Sequence, residues 1–269
     1  MKKIFLLLVF CFIQLTGFSA TIDSLQINSQ LLKRKSPVVI VTPQTYASSS
    51  EKRFPVIYFL HGYSGNARSW VESSPDFQQL VDQYQIIAVC VDGGYDSWYF
   101  DSPIEPTYQY ESYITKELIP FIDQKFKTKA EPQGRAISGL SMGGHGAMYL
   151  GTRHPELFGA MASMSGGVDI VPFPNNWNIK GRLGKYEDNK AIWEKNAVIN
   201  QNFSPSQAIL IDCGIDDFFI GVNRALHQKL IENKIPHEYT ERPGAHNWKY
   251  WSVSVRNHFY FFHSYFKNF

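Results

Sequence analysis

The chain has 269 residues, of which 44% are apolar and 15% aromatic, enough for one substantial core. It carries 26 Lys and Arg against 24 Asp and Glu; two of the bases, Lys2 and Lys3, lie in an opening stretch without acids, so the rest of the chain is balanced. A neutral body excludes charge-driven binding of nucleic acid or of an anionic membrane as the basis of function.

Lys2 and Lys3 are followed by an apolar run over residues 4–15, broken only by Gln14, and then by the small residues Gly17 and Ser19. This is the order of a secretory signal peptide, cut after Ser19 or Ala20. The run is well short of the roughly 20 residues a spanning helix needs. Phe10 before Cys11 is too bulky for a lipoprotein cleavage site. The expectation is a leader over residues 1–20, an exported protein in the periplasm or outside the cell, and a single domain over residues 21–269 that does not contact membrane after cleavage. Beyond the leader only Cys90 and Cys213 remain, each near the end of an expected strand, and both are read as buried free thiols. No Cys/His cluster has zinc-binding spacing, and no metal or cofactor is expected.

Residues 24–31 and 37–41 read as two strands. Residues 54–60 form a near-continuous apolar run, as expected of a strand covered on both faces of a parallel sheet. A loop rich in turn formers, His61 to Asn66, ends it. Residues 76–84 have helical spacing, and residues 86–91 form another buried strand, stopped by Asp92-Gly93-Gly94. One long amphipathic helix is expected over 110–126, with Tyr113, Ile114, Leu118, Phe121, Ile122 and Phe126 on its apolar face. A short strand over 135–139 leads into a helix over 142–153, and a further strand follows over 158–164. Residues 171–205 hold prolines, asparagines and two tryptophans, and read as an irregular insertion over the sheet edge. A strand at 208–212, a helix at 222–233, a strand at 237–241 and an aromatic-rich helix at 247–266 complete the chain. Alternating strands and helices imply a mostly parallel sheet with helices on both faces.

Gly139-Leu140-Ser141-Met142-Gly143 falls between one of these strands and the next helix. A serine hydroxyl is a poor nucleophile near neutral pH and needs a base, which in turn needs an orienting acid. A strand-to-helix corner exposes the serine above the sheet and aims helix amides at developing negative charge. An acid should follow a later strand, and Asp212, Asp216 and Asp217 are all available. Asp212 lies at the strand end, whereas Asp216 and Asp217 lie in the loop, and pattern alone leaves these two open. Of the histidines that follow, His227 lies in a helix, His237 at the start of a strand, and His258 and His263 on the last helix. Only His246 sits in a loop before that helix. Oxyanion donors are expected from the backbone amides of Met142 and Tyr63, with His61 as a structural support under the Tyr63 loop. Trp98 and Tyr99, after the strand at 86–91, and Trp248 are candidate substrate-binding aromatics. Core packing accounts for them equally well, and Trp177 has the same two readings.

The stretches 55–62, Ser64-Gly65-Asn66, Asp92-Gly93-Gly94 with Ser97-Trp98-Tyr99, Gly139 to Gly144, Cys213-Gly214-x-x-Asp217 and Gly244-x-His246-x-Trp248 together resemble the esterase D family of α/β hydrolases, from about Ser24 to the C-terminus. That family includes S-formylglutathione hydrolases, tributyrin esterases, feruloyl and acetylxylan esterases, and mycolyltransferases. The resemblance implies the α/β-hydrolase fold, with Ser141 as nucleophile, Asp217 as acid and His246 as base. Ala245 departs from the glycine more usual there. The Ser64-Gly65-Asn66 and Ser97-Trp98-Tyr99 stretches are more similar to the secreted tributyrin and carbohydrate esterases. The expected function is therefore a secreted serine carboxylesterase acting through an acyl-enzyme on short acyl or hydroxycinnamoyl esters, borne by carbohydrate or another small alcohol. The alternatives are an S-formylglutathione hydrolase-type thioesterase and an acyltransferase with the same three residues. A non-catalytic binding module is disfavoured by the intact set of three.

Overall fold

In the computed structural model, residues 20–269 are described; the expected leader lies outside them except for its last residue, Ala20. Eight strands form one sheet: β1 (Thr21–Ser29), β2 (Arg34–Thr42), β3 (Val56–Leu60), β4 (Ile87–Val91), β5 (Arg135–Leu140), β6 (Ala160–Met164), β7 (Ala208–Gly214) and β8 (Glu238–Arg242). Their order is β1-β2-β4-β3-β5-β6-β7-β8. β1 and β2 pair antiparallel, β2 runs antiparallel to β4, and the other pairings are parallel. The first two strands run longer than their apolar patterns suggest, because hairpin pairing extends them into polar residues such as Arg34 and Lys35.

Every residue of β3, β4, β5 and β6 is buried, as the unbroken apolar runs require of strands covered on both faces. Side-chain alternation along β3 sends Tyr58 and Leu60 into one core and Ile57 and Phe59 into the other. The first core is closed by α2 (Ile119–Lys125), α3 (Met142–Arg153), α4 (Lys190–Asn196) and α5 (Ile220–Glu232). The second is closed by α1 (Phe77–Tyr84) and α6 (Trp248–Phe266), where Phe259 packs its ring 5.2 Å from Phe59 and 5.6 Å from Phe77. Each such buried ring contributes about 2–3 kcal/mol of hydrophobic stabilisation.

Two expectations are corrected. The helix expected over 110–126 is three consecutive stretches, Tyr110–Tyr113, the π-helical turn Ile114–Leu118, and α2. Pro120 lacks an N–H for the carbonyl four residues back, and the widened turn just before it accommodates the lost bond. The insertion between the neighbouring strands β6 and β7 is less irregular than its composition suggests. It contains helices of its own, Lys180–Leu183 and α4, and buries Ile179, Leu183 and Trp193 in the first core. Cys90 and Cys213 are free and buried. They sit on β4 and β7, four strand spacings or roughly 19 Å apart, beyond disulfide reach.

Candidate active site

Parallel pairing places Leu60 beside Gly139, so the loop after β3 and the turn after β5 meet at the same edge of the sheet. Ser141 occupies that turn with φ 56° and ψ −118°, a conformation that L residues avoid. The corner is locked from several directions. The Ser141 N–H donates to Met164 O at 2.9 Å, and its carbonyl accepts from the amides of His145 at 3.0 Å and Gly167 at 3.3 Å. A Cβ at Gly139 would sit 2.2 Å from Gly143 O, and one at Gly143 would sit 2.3 Å from Leu60 O. Both positions need glycine for close backbone approach.

Three side chains converge on this corner. His246 Nε2 lies 2.8 Å from Ser141 Oγ, and His246 Nδ1 lies 2.8 Å from Asp217 Oδ2 and 3.0 Å from Oδ1. An ionised carboxylate can only accept, so Nδ1 carries the proton in the neutral ring and Nε2 accepts from the serine hydroxyl. Asp217 is 2% exposed, and its Oδ1 also accepts from the Phe219 amide at 2.8 Å. His246 stands in the loop between β8 and α6, and Asp217 in the loop between β7 and α5. Asp216 is exposed and turned away, lining a separate hollow of about 630 Å³ behind the His246 loop. Asp212 is buried beneath the site and accepts from Arg242 at 2.6 Å, Tyr250 at 2.6 Å and Ser254 at 2.8 Å. Burial pushes its carboxyl up, against the pull of Arg242 and the two hydroxyls.

The other histidines are occupied elsewhere. His227 and His237 bond to each other at 2.8 Å. His258 is buried against Ser138 at 2.9 Å, and burial with nearby Arg242 pushes it down to about 3. His263 packs against Tyr84. His61 is fully buried, its Nε2 accepts from the Gly93 amide at 2.8 Å, and its Nδ1 donates to Gly62 O at 2.8 Å. Burial lowers its pKa, in keeping with that neutral tautomer. It thus ties the Tyr63 loop to the turn after β4.

Ser141 opens into a cleft of about 310 Å³ lined also by Tyr63, Leu140, Trp177, Phe218, Trp248 and Trp251. Neither the Tyr63 amide nor the Met142 amide has a loop or turn hydrogen-bond partner among the described residues. Trp248 reaches the cleft. Trp98 and Tyr99 do not line it, which corrects the expectation for both. They are 1% and 0% exposed, because Tyr99 donates to His61 O at 3.0 Å and Trp98 donates to Trp177 O at 3.3 Å. Each packs under a wall of the cleft. The aromatics at the mouth are instead Trp177, from the insertion, and Phe218, which is 54% exposed. Phe218 was not expected from the sequence, although an aromatic next to a loop aspartate was a signal for it.

A strained serine between a strand and a helix, on a mostly parallel sheet flanked by helices and within reach of a loop histidine and a loop aspartate, defines an α/β hydrolase. The chain belongs to the esterase family, whose model, described as "Putative esterase", matches residues 29–261. It is similar to an acetyl esterase of Caldicellulosiruptor saccharolyticus, 26% identical over 87% of this chain and 96% of that protein. It is similar also to an S-formylglutathione hydrolase of Rattus norvegicus, 26% identical over 84% of this chain and 88% of the relative. Among solved structures, a ferulic acid esterase superposes with a TM-score of 0.80 at 26% identity, covering 93% of this chain and all of the other. The protein is a carboxylic ester hydrolase of the α/β-hydrolase fold.

Proposed function

We propose that the protein is a secreted serine esterase that removes short acyl or hydroxycinnamoyl groups from carbohydrate, with Ser141 as nucleophile, His246 as base and Asp217 as its orienting acid. The observation that carries this reading is the continuous hydrogen-bonded relay Asp217–His246–Ser141 ending on a serine with φ 56°. As Ser141 Oγ attacks the ester carbonyl, its proton passes to His246 Nε2. The imidazolium so formed is stabilised by Asp217. Negative charge on the former carbonyl oxygen is met by the amides of Tyr63 and Met142, helped by the N-terminus of α3. Nε2 then returns the proton to the departing alkoxide oxygen, leaving an acyl group on Ser141. A water molecule deprotonated by the same nitrogen then attacks the acyl carbon, the bond to Ser141 Oγ breaks to release the acid, and Nε2 returns the proton to Oγ.

The substrate reading is supported by the acetyl esterase and ferulic acid esterase relatives and by the aromatic cleft mouth. Export rests on Lys2, Lys3 and the apolar run after them. The equal identity to an S-formylglutathione hydrolase favours a second reading, a thioesterase with the same relay. Two measurements test these readings. Ser141→Ala should lose p-nitrophenyl acetate turnover by about 10⁴ or more, and with it covalent labelling by a fluorophosphonate. A variant that keeps a tenth of the activity overturns the assignment. Comparing kcat/KM for acetylated xylooligosaccharide, methyl ferulate and S-formylglutathione decides the substrate, and a hundredfold preference for the thioester would select the second reading.

A further inference from the structure

We propose that Trp177 and Phe218 form the subsite for the alcohol half of the substrate, a platform on which the ring of a neutral sugar stacks as the ester is cleaved. The proposal rests on the relay described above, which decides which half of an ester lies where. His246 Nε2 must hand its proton to the leaving oxygen, so that oxygen lies within about 3 Å of Nε2. The carbonyl oxygen points instead toward the amides of Tyr63 and Met142. Groups flanking the outer face of the His246 ring therefore flank the alcohol.

Phe218 is the exposed aromatic on that ring, whereas Phe219, edge-on to His246 at 5.5 Å, is 1% exposed. The Phe218 ring centroid lies 4.1 Å from that of His246, and Trp177 stacks on Phe218 at 5.6 Å with an interplanar angle of 20°. Trp251 also touches His246, at 4.9 Å, but it is only 7% exposed and packs inward against Trp248. Phe218 keeps 54% of its surface in water, which core packing does not require.

Trp177 is held in place at a conformational cost. Both Trp177 and Asn178 are left-handed, with φ of 47° and 52°, a region that asparagine tolerates and a tryptophan avoids. Buried Asp96 secures them by accepting from Asn178 Nδ2 at 2.6 Å and from Arg182 at 2.7 and 3.1 Å. The Trp98 indole N–H fastens the Trp177 carbonyl from below. The turn pinned in this way holds Trp177 in the wall of the cleft that contains Ser141. No Lys or Arg among the described residues lines the cleft. That composition suits an uncharged sugar and gives nothing to hold the carboxylates of glutathione, which would occupy the same side as the leaving thiol.

The test varies one half of the ester at a time. With the acetyl group constant, kcat/KM is measured for acetylated xylotriose and for ethyl acetate. With the ethyl group constant, it is measured for ethyl acetate and ethyl ferulate. Phe218→Ala should lower the ratio of xylotriose acetate to ethyl acetate roughly tenfold, mainly through KM, and move the ferulate-to-acetate ratio less than about twofold. Phe218→Leu keeps apolar bulk without a flat face and carries the same expectation if the alanine variant does not fold, whereas Phe218→Tyr should hold the sugar ratio. Equal losses on xylotriose acetate and ethyl acetate would mean that Phe218 only supports His246. A loss that follows the feruloyl group would place the platform on the acyl side. Either result overturns the proposal. Fluorophosphonate labelling separates this failure from failure of the relay. A wild-type protein that labels at Ser141 but shows no Phe218-dependent sugar preference loses the subsite alone, whereas one that does not label at Ser141 loses the relay.

Discussion

Asp217→Asn is the substitution whose consequence the geometry defines most closely. Oδ1 accepts from the Phe219 amide at 2.8 Å, so the oxygen of an asparagine is drawn to that position. Its NH₂ then takes the place of Oδ2, now 2.8 Å from His246 Nδ1. An amide nitrogen can only donate there, so Nδ1 must become the acceptor and the ring proton moves to Nε2. That nitrogen, 2.8 Å from Ser141 Oγ, can then no longer take the serine proton. The shape of the site is retained while the His246 ring is held in the tautomer that cannot accept the serine proton. Turnover of p-nitrophenyl acetate should fall by about 10⁴, equivalent to about 5.5 kcal/mol of barrier. Steady-state kinetics give the loss, and nitrogen-15 NMR of the His246 ring reports the proton shift. Asp216→Asn, at an exposed residue one position earlier, should stay within about twofold because nothing in the relay contacts it. A variant at 217 with a tenth of normal turnover, or greater damage from the change at 216, would refute the reasoning.

Gly143→Ala places a Cβ 2.3 Å from Leu60 O and 2.6 Å from His61 O, so β3 and the serine corner must separate. The expected cost is about 3 kcal/mol, lowering Tm by roughly 6–12 °C with loss of most activity; an unchanged melting curve would contradict it. His258, pushed down to about 3 by burial and by Arg242, should make stability fall in acid. Between about pH 6.5 and 3 the unfolded histidine binds a proton that the native one refuses. Stability is therefore complete above that window and declines as pH falls through it, by up to about 1.4 kcal/mol per pH unit. Buried His145, pushed down to about 4, acts with the same sign. Urea unfolding at pH 7 and pH 5 should show a flatter dependence for His258→Gln, and an unaltered slope would remove His258 as a cause.

Much of the architecture was legible along the chain. Apolar runs such as Val56–Leu60 and Ile87–Val91 can be buried on both faces only inside a parallel sheet, and their alternation with helical periodicities leaves few topologies. Ser141 was readable because a strand, a pair of glycines and a helix in succession are a local signal. Beyond the Asp212–Asp217 stretch, His246 stood out as the histidine outside the expected helices and strands. Local pattern stopped at choices between neighbours. Asp216 and Asp217 share one loop, and their separation depends on a turn fastened by Gly214 O and Gly244 O, the second from a loop some thirty positions on. Trp98 and Tyr99 looked as suited to a binding site as Trp177. Their burial depends on partners 79 positions away for Trp98 and 38 for Tyr99, and the same contact raises Trp177 into the cleft. Periodicity specifies which side of a helix or strand is apolar. A loop residue has no such period, so the direction of its side chain is decided by long-range hydrogen bonds and packing that exist only once the sheet has brought the loops together.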